Sequence, residues 1–369
     1  NIEETVKELV SEINGNDKIH VHLNTTLKHV DGFVGNFEST LLTGDSEDKL
    51  AHGIAVMATG ASQYTPSEYS YGQSERIITT LDLDKKIKAK DTLIQDLKTA
   101  VFIQCVGSRE KDRSYCSRVC CTHSIDNAIE LKKMNPETNV YILYRDIRTY
   151  GEREQLYREA REAGVIFINF QRDHKPVVTV TDGKVVVSIM DHVLRKPLEI
   201  ETDLLTLASA IVPNNVDRIA QMFKLPVNDH GFFVERHAKL GPSEFATDGV
   251  FLCGMCHYPK PIDESATQAQ ASASRAVTLL ARETIHTNGQ VAYTDPMACS
   301  SCGVCVSICP YSAPSFTLEG RFAGKAEINP VLCKGCGLCV ASCRSGAIHH
   351  NGFDTNQIFA QLYSFNEAG

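Results

Sequence analysis

No apolar run in this sequence approaches the ~20 residues that a membrane-spanning helix needs. The most apolar stretch, LLTLASAIV at 204–212, is only strand-sized. Positive charge is also scarce: the net charge of −8 at pH 7 weighs against nucleic acid as a main partner. No secretory leader is visible, and the first residue is Asn rather than Met. The numbering is therefore expected to begin inside a longer gene product. Tryptophan is absent, which excludes nothing, and the 13 histidines show no ligand spacing. His349 and His350 read as part of a solvated tail. A G-x-G-x-x-G turn, the usual cradle for a dinucleotide pyrophosphate, is missing as well.

Cysteine, by contrast, is abundant, with 14 in 369 residues. Spread evenly, these would suggest disulfides in a secreted protein. They cluster instead in C-x2-C patterns, which reads as metal ligation in a reducing cytosol. A cytoplasmic location is expected, with any membrane contact peripheral and made through partners. The length suffices for two or three domains with cores of their own.

Periodicity orders the chain. EETVKELVSEI at 3–13 has the helical stripe Val6, Leu9, Val10 and Ile13. KIHVHLNTTLKHVDGFVGNFESTLLTGD reads as short strands separated by turns at Asp31-Gly32 and Gly44-Asp45. HGIAVMATGA at 52–61 then reads as a buried strand closing on small residues. This order resembles the latter part of an FAD-binding domain, and residues 1–99 are assigned to it together with a polar connector over 62–99. Residues 100–229 follow as a Rossmann-like NAD(P)-type unit. It has a strand at 100–108, a helix at about 121–134, the strand NVYILY, the helix EREQLYREAREAG and the strand VIFINF. A hairpin about Asp182-Gly183 and the strand DLLTLASAIVP complete it. Residues 230–289 return to the first domain, and 290–369 form a cysteine-rich module.

The module carries CSSCGVCVSICP and CKGCGLCVASCR. Cys299, Cys302, Cys305 and Cys309 follow C-x2-C-x2-C-x3-C, and Cys333, Cys336, Cys339 and Cys343 repeat it 34 residues later. In such pairs the fourth cysteine of each run ligates the other cluster. One [4Fe–4S] cluster is therefore assigned to Cys299, Cys302, Cys305 and Cys343, and the other to Cys333, Cys336, Cys339 and Cys309. Paired zinc sites and disulfides are the blander readings of eight cysteines. Arg344 stands where Pro310 has its counterpart, a departure that removes no ligand.

A different cysteine pattern occupies the first turn of the α/β unit. That turn reads QCVGSREKDRSYCSRVCC, with Gly107 as its one glycine. Cys105 is expected at the strand end, Cys116 in the loop, and Cys120 and Cys121 at the helix start. Four thiolates are the number a cubane needs, and a helix N-terminus favours an anionic group. A zinc site or a set of structural or redox-sensing cysteines stays open on spacing alone.

With these stretches in hand, the chain resembles HdrA, the iron–sulfur flavoprotein of heterodisulfide reductase, and its bacterial relatives. The resemblance rests on ATGASQYTPSEYSYG, FIQCVGSR…YCSRVCC, YRDIRTYGEREQLYREAREAGVIFI, FLCGMCHYPKPIDESATQAQASASRA and the doubled ferredoxin motif. It implies an α/β fold, with thioredoxin-reductase-like FAD- and NAD(P)-type domains built of ββα and βαβ layers. An α+β bacterial-type 2[4Fe–4S] ferredoxin domain follows them. It implies FAD, and a third [4Fe–4S] cluster on Cys105, Cys116, Cys120 and Cys121. Flavin contacts implied by the resemblance are Thr59, Gly60 and Ala61, then Gly254, Met255 and Cys256. Backbone N–H groups near Thr267 and Gln268 are expected at the pyrimidine edge, and Lys260 is the candidate for tuning the isoalloxazine.

The implied role is an electron-transfer oxidoreductase subunit working by flavin-based electron bifurcation. Implied partners are other heterodisulfide-reductase-like subunits, a hydrogenase or dehydrogenase module, ferredoxin, a second copy of the chain, and a missing N-terminal part. Nucleic acid is not among them. One rival is a flavin disulfide oxidoreductase using Cys253 and Cys256 as a dithiol, although buried inert thiols are the simpler reading of that pair. Another is a passive ferredoxin-like docking module without flavin. Arg145, Arg148 and Arg153 are expected in salt bridges or on a partner surface.

Overall fold

A computed structural model describes residues 2–285 and 289–367. Its centre is a five-stranded parallel sheet in the order Ile77–Thr79, Leu204–Ser209, Thr99–Val106, Asn139–Tyr144, Ile166–Asn169. Parallel strands are covered on both faces, so they read as continuous apolar runs. Leu204–Ser209 is buried at every position. One face packs on the helix Cys120–Met134 through Ala100, Phe102, Ile125 and Ala128. The other packs Val101, Ile103 and Leu205 on an antiparallel sheet formed by Val177–Thr181, Lys184–Asp191 and Lys196–Thr202. The Asp182-Gly183 hairpin forms as expected, with φ of 52° and 76°.

Several local expectations shift. The stretch 62–99 is not all connector. It supplies the edge strand Ile77–Thr79 and the helix Thr80–Ala89. Thr79 caps that helix, with Asp82 completing the capping box. The first hairpin turns at Val34-Gly35, not at Asp31-Gly32, since Phe33 pairs with Asn36. Gly32 lies within the strand Thr25–Phe33, because a Cβ there would stand 2.0 Å from the Asn36 carbonyl oxygen. The stretch 52–61 is not one strand: it runs from the end of Ser46–His52 through the short strand Ala55–Met57, which pairs in parallel with Val250–Leu252, to the start of Ala61–Gln63. With one neighbour, the strand leaves Val56 exposed.

The helix Ile2–Asn14 forms where its stripe predicts, yet Val6, Leu9, Val10 and Ile13 are exposed. In the C-terminal module, His350 is buried, not in a solvated tail. It ends the strand Ile348–His350, which pairs with Ala292–Thr294, and its Nε2 lies 2.8 Å from the Gly335 carbonyl. His349 stacks on Tyr293. No helix among the described residues is long and apolar enough to cross a membrane.

Candidate redox site

Cys105 lies one residue from the end of the central strand Thr99–Val106, and Cys120 and Cys121 open the helix Cys120–Met134. Cys116 lies on the intervening loop, which is pinned to the strand Ile211–Pro213. Tyr115 donates its hydroxyl to the Ile211 carbonyl at 2.8 Å, and Ser117 Oγ accepts from the Ile211 amide at 2.9 Å. The glycine left in the turn serves packing. A Cβ on Gly107 would meet the Tyr64 ring at 2.3 Å, and Arg113 stacks on that ring while bonding the Gly107 carbonyl. An aromatic ring thus stands at the close approach that a phosphate turn would keep open. Cys105, Arg109 and Arg118 all hold positive φ, between 59° and 63°. Such backbone costs energy and concentrates at functional sites.

The four thiols are mutually felt. Burial, then the Cys121 charge, pushes Cys105 up to about 11, against the pull of Arg109 and Arg145. A hydrogen bond between Cys120 and Cys121 holds Cys120 well above its usual range and draws Cys121 down to about 7. Cys120 also senses Cys105 and Cys116. Cations ring the set. Arg109 Nη1 lies 3.9 Å from Cys105 Sγ, and Arg148 stands beside Cys116. These arginines are themselves paired: Arg109 and Arg148 with Asp146, Arg145 with Glu110, and Arg153 with Asp263. Among the described residues, no three His, Cys, Asp or Glu side chains converge as they would on one ion. Four thiols ringed by cations fit the donor chemistry of a four-iron cube.

Arg118 joins this set to the rest of the molecule. Its amide donates to Cys116 Sγ at 3.3 Å. Its guanidinium makes a two-pronged bond to Glu264 at 2.8 and 2.9 Å and covers the rings of Tyr150 and Tyr258. Glu264 sits in the first turn of the helix Ile262–Leu280. No motif marks Arg118 in the sequence, although it lies within the quoted YCSRVCC.

The residues expected near a flavin gather at that same helix. Thr59, Gly60 and Ala61 follow the strand Ala55–Met57. Cys253 bonds back to Met57 through its amide at 3.0 Å, which sets Gly254, Met255 and Cys256 beside them. Gly254 has φ of 78° and open space where a Cβ would be. Lys260 is 3% exposed. Its ammonium bonds Gln268 Oε1, lies 3.2 Å from His257 Nδ1 and sits 4.0 Å over the Tyr258 ring. Burial lowers its pKa from 10.5 to about 8. A buried cation bonded only to neutral groups suits the electron-rich edge of a reduced flavin. Thr267 and Gln268 cannot offer free backbone N–H groups, which is a correction. The helix starts five residues before Thr267, and only its first-turn amides lack an internal partner. Gln268 acts through its side chain, whose Oε1 also accepts from the Gly254 amide at 3.0 Å. Thr267 turns its hydroxyl back to the Asp263 carbonyl.

In the C-terminal module, Cys309, Cys333, Cys336 and Cys339 line one small hollow. Cys299, Cys302, Cys305 and Cys343 line another. The fourth cysteine of each run thus faces the hollow of the other. Backbone amides point at the sulfurs: Ser301 and Ala326 at Cys299, Ala292 and Gly335 at Cys333, and Ala347 at Cys343, at 3.3–3.5 Å.

Residues 298–347 match the family described as 4Fe-4S dicluster domain. The chain is 35% identical over 333 residues to the HdrA component of the H(2):CoB-CoM heterodisulfide,ferredoxin reductase of Methanothermobacter marburgensis, covering 86% of this chain and 50% of that one. It is 35% identical to the iron-sulfur HdrA component of the CoB--CoM heterodisulfide reductase of Methanocaldococcus jannaschii, covering 87% and 51%. The chain therefore spans about half the length of these curated relatives. Among solved structures, thioredoxin reductase from T. acidophilum superposes with a TM-score of 0.52 at 12% identity, covering 76% of this chain and 81% of that one. The fold is thioredoxin-reductase-like, followed by a dicluster ferredoxin-like domain.

Proposed function

The chain is a relative of the HdrA components of heterodisulfide reductases over most of its own length, and from that premise we propose that it is the FAD- and iron–sulfur-bearing electron-transfer part of an oxidoreductase complex. The observation that carries the reading is the Arg118 bridge. It ties Cys116 to the first turn of the helix whose Gln268 holds Lys260. A thiol set fit for a cluster thus abuts a strand-end and helix fit for a flavin. Bound there, FAD would exchange electron pairs or single electrons, and [4Fe–4S] centres single electrons.

The residue roles follow. Cys105, Cys116, Cys120 and Cys121 hold one centre, and the two crossed sets in the module hold two more. Thr59, Gly60, Ala61, Gly254, Met255 and Cys256 approach the flavin by backbone. Lys260, steadied by Gln268 and His257, sets positive charge beside it. With domain divisions at 99, 229 and 289, the flavin would lie between the first and third segments, whose strands Ala55–Met57 and Val250–Leu252 pair. Partners of this kind are other heterodisulfide-reductase-like subunits, a hydrogenase or dehydrogenase module, ferredoxin, a second copy of the chain and the N-terminal half of the protein.

In the complex, the electron pair of a two-electron donor would be divided. One electron goes to ferredoxin and one to a disulfide or similar acceptor. The dithiol alternative draws little support from Cys253 and Cys256. Both are buried, and burial pushes both thiol pKa values up, so reactive thiolate is scarce. The test is an anaerobic assay of the intact complex. Ferredoxin reduction should require the disulfide acceptor to be present. Reduction that proceeds without it, or a flavin-free absorbance spectrum, would sink the reading.

A further inference from the structure

Gln104 immediately precedes Cys105 on the central strand and is 1% exposed. Neither its amide nitrogen nor its amide oxygen has a hydrogen-bond partner. Native proteins rarely leave a buried amide unpaired, because its desolvation goes uncompensated. Side chains alternate along a strand, and here the register is regular up to Ile103, the irregularity falling between Ile103 and Val106, where Cys105 holds its positive φ. Ala100 and Phe102 pack against Ile125 and Ala128 of the helix Cys120–Met134, so Gln104 projects into the same strand–helix layer.

That layer holds further orphans. Ser124, one turn along the helix from Cys120, is fully buried with an unpaired Oγ. Thr206, on the neighbouring strand, is fully buried with an unpaired Oγ1. Two residues on from it, on the same face, Ala208 packs directly on Cys120 and Cys121. Unpaired polar side chains therefore collect under the four-thiol set, in a layer that is otherwise apolar. An apolar residue at 104 would pack there without this cost. The position makes sense if the amide points at something the thiols hold.

We infer that Gln104 donates its side-chain N–H to a sulfur of the centre held by Cys105, Cys116, Cys120 and Cys121, and so sets that centre's reduction potential. This rests on the reading of those thiols as [4Fe–4S] ligands. One-electron reduction adds negative charge to the cluster sulfurs. A fixed N–H dipole in a dry site favours that charged state, so the hydrogen bond raises the potential. Ser124 is placed to act as a second, weaker donor. Gln104 is a positioning residue and takes no part in chemistry itself.

The test is Gln104→Met, which keeps the length and removes the amide. In an EPR-monitored redox titration of anaerobically prepared protein, this centre should become at least tenfold harder to reduce, or 59 mV lower for one electron. The two module centres, held by a separate domain, should not move. An unmoved midpoint in a protein with about twelve irons per chain overturns the inference alone. About eight irons in wild type, with two centres in the spectrum, overturns the cluster reading and this inference with it. Should the variant fail to assemble, wild-type protein grown with glutamine labelled with ¹⁵N in its amide decides. Pulsed EPR should show a side-chain nitrogen coupled to this centre, and its absence overturns the inference.

Discussion

Of the eight repeat thiols in the C-terminal module, Cys305 alone is buried, and Cys302 and Cys336 are exposed. In the α/β unit, Cys105, Cys120 and Cys121 are 4%, 4% and 3% exposed. The sulfurs are also served differently. In the module, backbone amides of tight loops reach Cys299, Cys333 and Cys343. In the α/β unit, guanidinium groups of Arg109 and Arg148 stand beside the thiols, and Arg118 adds one amide. A backbone-built site depends on spacing and on glycines, so it leaves a regular motif. A site built from side chains and a reshaped turn depends on distant residues as well, and leaves a less regular one. Exposure and hydrogen bonding to sulfur both set cluster potential, so the two kinds of site are expected to differ in potential as well as in origin.

The largest expected effect tests the crossed ligation. Cys309→Ser should disturb the centre of the second run, and Cys343→Ser that of the first. Each should cost about four irons of the roughly twelve, read by iron analysis and EPR. Loss of the signal belonging to the mutated run itself would break the crossed arrangement. Cys120→Ser should remove a similar amount of iron and leave both module signals intact. If the module signals changed instead, the two sites would not be independent.

A smaller effect separates the glycines of the module loops. At Gly335 a Cβ would stand 2.3 Å from the Gln290 carbonyl oxygen, and φ is 65°. At Gly337, φ is 74° with open space around it. Gly335→Ala should lower stability more than Gly337→Ala. Backbone strain alone costs roughly 1–3 kcal/mol, and the clash adds to it. Thermal melts of the two variants compare them, and equal losses would contradict a close approach at Gly335.

On the flavin side, Lys260 is charged below its pKa of about 8. Its cation should raise the potential of bound flavin at neutral pH, and the advantage should fade as pH rises through 8. Lys260→Met should lower the potential at pH 7 and abolish that break. An identical pH profile in the variant would place Lys260 away from the flavin. The smallest effect belongs to Asp248→Asn, which breaks the pair with Lys334 that ties the module to the third segment. Half of that pair is solvent-exposed, so the melt should shift by about 1 kcal/mol at most.

The parallel sheet was legible because its strands are long, apolar and bounded by helical stripes. The same reasoning passed over Ile77–Thr79, a three-residue edge strand inside a polar stretch. Short edge strands carry too few residues for a period. KIHVHL alternates like a strand, but residues 18–24 form none, and Ile19, Val21 and Leu23 are exposed. Alternation marks a potential to pair, and pairing needs a neighbour. The placement of Cys105, Cys120 and Cys121 at a strand end and a helix start was readable from the turn. Tyr64, Arg118 and Gln104 were not, since what they do arises from the approach of segments far apart in the chain. Gly107, the one glycine of that turn, admits the Tyr64 ring, which lies 43 positions earlier and has no local signature.

The central claim is that four thiols replace a phosphate cradle at the first turn of the α/β unit. Iron and acid-labile sulfide content of the anaerobically purified chain tests it most directly. About twelve of each per chain, falling to about eight in Cys120→Ser, is the result expected of three cubes. About eight in both proteins would contradict it.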